Sequence, residues 1–360
     1  VISVSASGLV GAAVNSAKAI GTSTSRSQVQ AVSIYTPLGS TFVQSSAVNN
    51  LNSASDGGAE GGIAGLGLML AESSLGTTGA DAEVQAMVGS GASITAKNVE
   101  ITSLSRDSVY SDSISAAGGY LGAGAGAQSK ASTNQTVQTT IGSGAIIKAS
   151  GNLKLSSLLD QTGEDGNSGG IDSRGEGIAV SGYIAGGGAA LTNDILSRAL
   201  LDVGSNSKLI ANSIDLGAGN SLEKTKYGQP TGNGTSPNAN VKVVVVGLAG
   251  GAGSSSTTNI GNEACDFGSA ISIATGATVR AMGTKSSPGS LLIHADSDVY
   301  ATDDGVLDAV SARAAASGNS SVTNKAKASV SAANGSQIIN DSGDVIITCL
   351  LYTSDAADDS

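Results

Sequence analysis

A loose unit recurs six times along the 360-residue chain, and this recurrence restricts the fold more than any composition could. Its clearest stretch reads Gly-(Ala/Ser)-x-(Ile/Val/Leu)-x-Ala, followed by a short alternating segment. Taking one large apolar residue per copy as a marker gives Phe42, Ile94, Ile147, Leu209, Val279 and Ile338, spaced 52, 53, 62, 70 and 59 residues apart. Self-similarity at such a period belongs to solenoids and stacked-strand arrays, where each unit buries its apolar face only against its neighbours. The count of repeats therefore replaces the two or three globular domains that this length would otherwise suggest.

The alternation says which secondary structure the units adopt. The second copy continues Val99-Glu100-Ile101-Thr102, the third Leu153-Lys154-Leu155-Ser156, and the sixth carries Val345 and Ile347. Apolar residues at every second position line one face of a strand, whereas a helix would place them three and four apart. Upstream of the markers lie Gly/Ala runs at 62–70, 118–127, 182–191 and 247–253. Glycine costs a helix about 1 kcal/mol per residue relative to alanine, so these runs read as strands with small inward residues.

Four copies also carry Thr-Asn: Thr133-Asn134, Thr192-Asn193, Thr258-Asn259 and Thr323-Asn324. Asparagine tolerates left-handed backbone, which suggests a corner in each copy. A solenoid coil of about 20 residues would put three coils in each unit and, at about 4.8 Å per coil, separate successive Asn side chains by about 14 Å. On that reading residues 1–348 form a rod of about 80 Å, and no Asn reaches the next.

Composition narrows the function. Aromatics make up 2% of the chain and Trp is absent, which suits a thin core of stacked aliphatics better than a large globular core. The formal charge of −11, with no basic stripe, argues against nucleic acid, whose phosphates are bound by Lys and Arg. Abundant Ser, Thr, Asn and Gly predict a neutral, hydroxyl-rich exterior. No stretch approaches the ~18 apolar residues of a membrane helix.

The segment from Cys349 to Asp358 resembles the translation of a transposon adapter used in preparing sequencing libraries. That resemblance implies that residues 349–360 are a non-native tail, that the strand opened by Val345 is interrupted, and that Cys265 is the sole native cysteine.

Chemistry-bearing candidates are few. The run 241–253 imitates the strand and glycine loop of a dinucleotide site, but Ser254-Ser255-Ser256-Thr257-Thr258 is a poor start for the helix such a site needs. His294 is the only histidine and alternates with Ile293, so it should point into solvent. Acidic residues gather at Glu164, Asp165 and Asp172 and again at Asp296, Asp298, Asp303 and Asp304; calcium takes such oxygens, yet neither stretch has a calcium-loop spacing, and solvated loops are the expectation. No catalytic, cofactor-binding or metal-binding residue is assigned. Insertions at 160–177, 222–240 and 297–306 fall at one phase of the repeat, which maps them to one face and makes them the expected binding loops.

Written out, the units resemble the repeats of large exported bacterial adhesins of the filamentous-haemagglutinin-like and leukotoxin-like kind. The likeness rests on Gly119-Tyr120-Leu121-Gly122-Ala123-Gly124-Ala125, Thr133-Asn134, Val137 and Gly142-Ser143-Gly144-Ala145-Ile146-Ile147-Lys148-Ala149. It implies an all-β, right-handed parallel β-helix, exported through an outer-membrane partner and displayed as a non-enzymatic shaft, secreted or on the cell surface. Partners would be host-cell or matrix glycans and proteins, or other bacteria. The alternatives are a polysaccharide lyase or hydrolase on the same fold, for which aromatic sugar platforms are scarce here, and a cytotoxin or biofilm-matrix exoprotein.

Overall fold

The computed structural model describes the whole chain except residues 78–79, 163–169, 225–239, 263–266, 285, 287, 304 and 356–360. The described residues form strands, turns and bends, with no helix. Among the described residues every inter-strand ladder is parallel, and each strand of the inner coils pairs with the strand one repeat earlier and one repeat later. The architecture is that of an all-β solenoid.

The markers fix its register. Ile94, Ile147, Leu209, Val279 and Ile338 are direct neighbours in one ladder. The first rung is Ile34, which pairs with Ile94; Phe42 instead pairs with Glu100 and points outward, 62% exposed. The sequence marker in the first copy was thus eight residues late, displaced by an apolar residue that belongs to the outer face.

Because successive markers are hydrogen-bonded neighbours, each repeat is a single coil of 53–70 residues rather than three short ones. Six rungs at about 4.8 Å occupy only about 30 Å along the axis, not 80 Å. The chain length goes into breadth. In the second copy, Ser93–Gly119 runs outward, a turn follows at 120–121, Gly122–Ile141 runs back, and Ile146–Ala149 closes the coil. A wall of about 20 residues is about 65 Å long at about 3.3 Å per residue, so each coil is a flattened loop.

The marker motif builds the closing corner. Gly91, Gly144, Asn206, Gly276 and Gly335, each three residues before its marker, have φ of 70°, 68°, 54°, 71° and 76°. That left-handed backbone suits Gly, and Asn is among the few residues that replace it cheaply. The Thr-Asn pairs are not corners. Asn134, Asn193, Asn259 and Asn324 lie within or at the end of strands, and among described non-glycine residues only Asn206 has positive φ. They also reach adjacent coils: Asn193 Nδ2 donates to Thr258 Oγ1 at 3.1 Å, and Asn259 Nδ2 to Asp194 Oδ1 at 3.0 Å.

The interior changes character along the coil. At the marker end lies an aliphatic cluster that includes Ile94, Ile101, Ile147, Leu209, Leu216 and Val279. Farther along, the two walls meet through short polar side chains, against the expectation of an aliphatic interior with its hydroxyls outside. Ser103 and Thr139 hydroxyls lie 2.9 Å apart, Gln135 Nε2 donates to Ser105 Oγ at 2.7 Å, and Ser129 Oγ donates to Ser111 Oγ at 2.7 Å, all buried. Hydroxyls are short enough to bridge a narrow gap, and those that pair across it escape the penalty for burial.

At the far tip even serine is too large for some positions. A Cβ on Gly65 would lie 2.3 Å from the Gly118 carbonyl oxygen and 2.6 Å from that of Ala59. The Gly/Ala runs therefore belong to the same solenoid. Ala125, Ala179, Ala185 and Val243 fill this limb.

Strand pairing continues past residue 348. Val345–Asp355 pairs in register with Leu291–Ala301, so the ladder is not interrupted at Cys349.

Candidate interaction surfaces

Of the inter-repeat insertions, residues 163–169, 225–239 and 304 lie outside the described residues; the described parts mostly continue the strands Ile171–Ser181, Ser213–Lys224 and Leu291–Ala301 instead of forming the expected loops, and their ends converge. Lys224, Asp172, Asn240 and Asp303 stand at their edges and form one buried cluster. The Lys224 side chain has no exposure; its ammonium contacts Asp303 Oδ1, donates to the Thr302 carbonyl at 2.9 Å and lies 3.9 Å from Asp172 Oδ1. Asn240 Nδ2 donates to Asp172 Oδ1 at 2.7 Å, and Thr258 Oγ1 donates to Asp303 Oδ2 at 2.8 Å. Desolvation pushes the Asp172 carboxyl up to about 7 despite Lys224 nearby.

Two of the acidic stretches singled out in the sequence thus meet, around an ammonium group. Glu164, Asp165 and Asp304 lie outside the described residues. Among the described residues no group of three or more His, Cys, Asp and Glu side chains is placed to hold a metal. The glycine run at 247–253 continues one strand, Val241–Ile260, instead of opening a helix.

His294 points outward as alternation predicts, yet it is not simply solvated. Its Nδ1 lies 2.7 Å from Asp296 Oδ2 and its Nε2 3.3 Å from Asp215 Oδ1, on the neighbouring coil. The ring rests over Gly217, where a Cβ would come within 2.8 Å of Nε2. Asp215 foremost, then Asp296, outweighs partial burial and pushes the imidazole up to about 9, so it is cationic at neutral pH. The arrangement is an ionic clasp between coils.

A polar groove of about 540 Å³ follows the Thr-Asn line across several coils, bordered by Glu72, Lys130, Asn134, Asp194, Asn259 and Lys325. Within it Lys130 Nζ lies 3.2 Å from Asp194 Oδ2, and Glu72 Oε2 lies 2.8 Å from the Nζ of Lys18 beside the groove.

The narrow tip carries a feature that the sequence reading missed. Leu9, Ile63, Leu121 and Tyr183 occupy successive tip turns, and Leu248 takes the matching position within the strand Val241–Ile260, each 40–65% exposed. Backbone bonds step from rung to rung: Ile63 N to Leu9 O, Leu121 N to Ile63 O, Ile184 N to Leu121 O, and Ala249 N to Tyr183 O, at 2.7–3.1 Å. Tyr120 and Tyr183 meet edge to face with centroids 5.5 Å apart. These side chains form one apolar ridge along the stack. The available signal was a large apolar residue beside glycine at the head of each Gly/Ala run, as in Gly8-Leu9, Gly62-Ile63 and Gly182-Tyr183.

No protein-family model, curated protein or solved structure matches the chain.

Proposed function

We propose that the chain is a segment of a non-enzymatic shaft, part of a secreted or cell-surface bacterial adhesin, that touches its partners along its length. The observation that carries this reading is the ridge Leu9–Ile63–Leu121–Tyr183–Leu248, which repeats one apolar side chain per coil on a single edge. Contiguous exposed apolar surface on a soluble molecule marks interaction sites. The groove beside Lys130 and Asn259 supplies hydrogen-bonding groups for glycan hydroxyls. Regular rungs give a row of weak, similar contacts, and multivalency turns these into stronger adhesion.

The test is adhesion of beads coated with the chain to epithelial cells and to immobilised glycans. Leu121→Ser with Tyr183→Ser should reduce cell attachment, and Lys130→Ala with Asn259→Ala should reduce glycan capture, while circular dichroism stays unchanged. Attachment no better than that of uncoated beads, or release of new sugar ends from a polysaccharide, would overturn the reading.

A further inference from the structure

The buried cluster at Lys224 contains the reactants of an amide condensation. The ammonium touches the Asp303 carboxylate, both side chains are essentially without exposure, and neither can turn away to water. Thr258 Oγ1 holds the far Asp303 oxygen at 2.8 Å, and the Thr302 carbonyl accepts from Nζ at 2.9 Å, so the two groups are fixed in mutual orientation. A third group stands alongside: Asp172 Oδ1 is 3.9 Å from Nζ, while its buried Oδ2 has no hydrogen-bond partner among the described residues.

This arrangement is costly as ions. One ammonium faces two carboxylates where water is excluded, and desolvation of buried ions commonly outweighs their attraction. Condensation of an amine with a carboxylic acid is unfavourable in water partly because water stabilises the ionised reactants. Burial removes that stabilisation, and holding the groups together removes the entropic barrier to their encounter.

We propose that Lys224 and Asp303 become joined by an amide bond between neighbouring coils. Asp172 first carries one proton from the Lys224 ammonium to an Asp303 carboxylate oxygen, which leaves a neutral amine facing a neutral carboxylic acid. The freed Nζ lone pair attacks Cγ of Asp303, forming the N–C bond; Asp172 takes a second proton from Nζ and gives it to the same departing oxygen, the C–O bond breaks and one water leaves. No oxidant, metal or cofactor enters the balance. The buried position of Asp172, which keeps its carboxyl near neutrality at about 7, suits a group that must both accept and give a proton. The product replaces a buried ammonium and a carboxylate with a neutral amide, and closes a covalent ring across 79 residues of sequence separation.

Intact-protein mass spectrometry of the folded wild-type chain reads this directly. The expected mass is lower than the sequence mass by one water molecule, and trypsin should yield a branched peptide joining Lys224 to Asp303, with no cleavage after Lys224. Asp303→Ala should restore the full mass, and Asp172→Asn, which keeps the side-chain shape, should leave most of the chain uncondensed while it still folds. A folded wild-type chain that keeps its full mass after prolonged incubation would overturn the proposal, as would a water loss mapped to any other residue pair.

Discussion

Within Gly186-Gly187-Gly188, neighbouring glycines should respond in opposite directions to the same added methyl group. Gly186 points to open space, with nothing within 4 Å of an added Cβ, whereas a Cβ on Gly187 would lie 2.8 Å from Val243 Cγ1 and 2.9 Å from Val245 Cγ2. Neither has positive φ. Gly186→Ala therefore adds no clash and removes freedom from the unfolded chain, a stabilisation of about 0.5–1 kcal/mol. Gly187→Ala meets two valine methyls some 0.5 Å too close and forces the limb apart, a loss of about 1–3 kcal/mol. Gly65→Ala is worse, because its obstacles at 2.3 and 2.6 Å are backbone carbonyls that cannot rotate away; about 3 kcal/mol or more is expected. Urea denaturation followed by circular dichroism separates the three, provided the transition slopes agree. Equal effects at Gly186 and Gly187 would mean that the limb is not two walls packed face to face, and the explanation of the Gly/Ala runs would fall.

Stability should decline as pH rises from about 4 towards 9. Asp107 and Asp112, each raised by burial to about 6, and Asp172 at about 7 hold protons in the folded chain that the unfolded chain has already lost, so ionisation through that window favours unfolding. His294, raised to about 9, acts in the same direction: its stabilisation is complete below its unfolded value near 6.5 and is lost as pH passes about 9. Thermal midpoints at pH 5, 6.5 and 8 check this, and a maximum at pH 8 would contradict it. Thr139→Val keeps the side-chain shape but removes donation to the Ser156 carbonyl at 2.7 Å and the contact with Ser103 Oγ at 2.9 Å, so it should cost about 1–3 kcal/mol in urea unfolding. At Gly144, where an added Cβ meets nothing but φ is 68°, Ala should cost about 1–2 kcal/mol and Asn distinctly less, since only the backbone region is at issue. The reverse order in melting temperature would refute the corner assignment.

The repeat was legible because its physics is local. Period-2 alternation around Ile101 and Leu155 specifies a strand, and glycine three residues before Ile94, Ile147 and Val279 marks a turn that only special residues make. What stacks on what was not legible, since a period near 60 fits one long coil as well as three short ones, and only non-local pairing such as Ile94 with Ile147 decides. The same blindness moved the first marker from Ile34 to Phe42 and made corners of the Thr-Asn pairs. Serines such as Ser103 and Ser111 looked like surface residues because burial of a hydroxyl depends on a partner across the interior, which the sequence does not display. The clasp at His294 escaped for a similar reason, because Asp215, its partner on the neighbouring coil, is 79 residues away in the chain.

One coil per repeat also sets how such a molecule yields to force. A pull on the chain ends loads the outermost coil first and opens its ladder bond by bond, leaving inner coils paired. Each coil released would pay out about 60 residues, or about 200 Å of extended chain at about 3.4 Å per residue, from a structure that occupied about 4.8 Å of the axis. Each surrendered coil would thus lengthen roughly fortyfold along the pulling direction while the remaining coils hold, so a shaft built this way would act as a stepwise extensible tether.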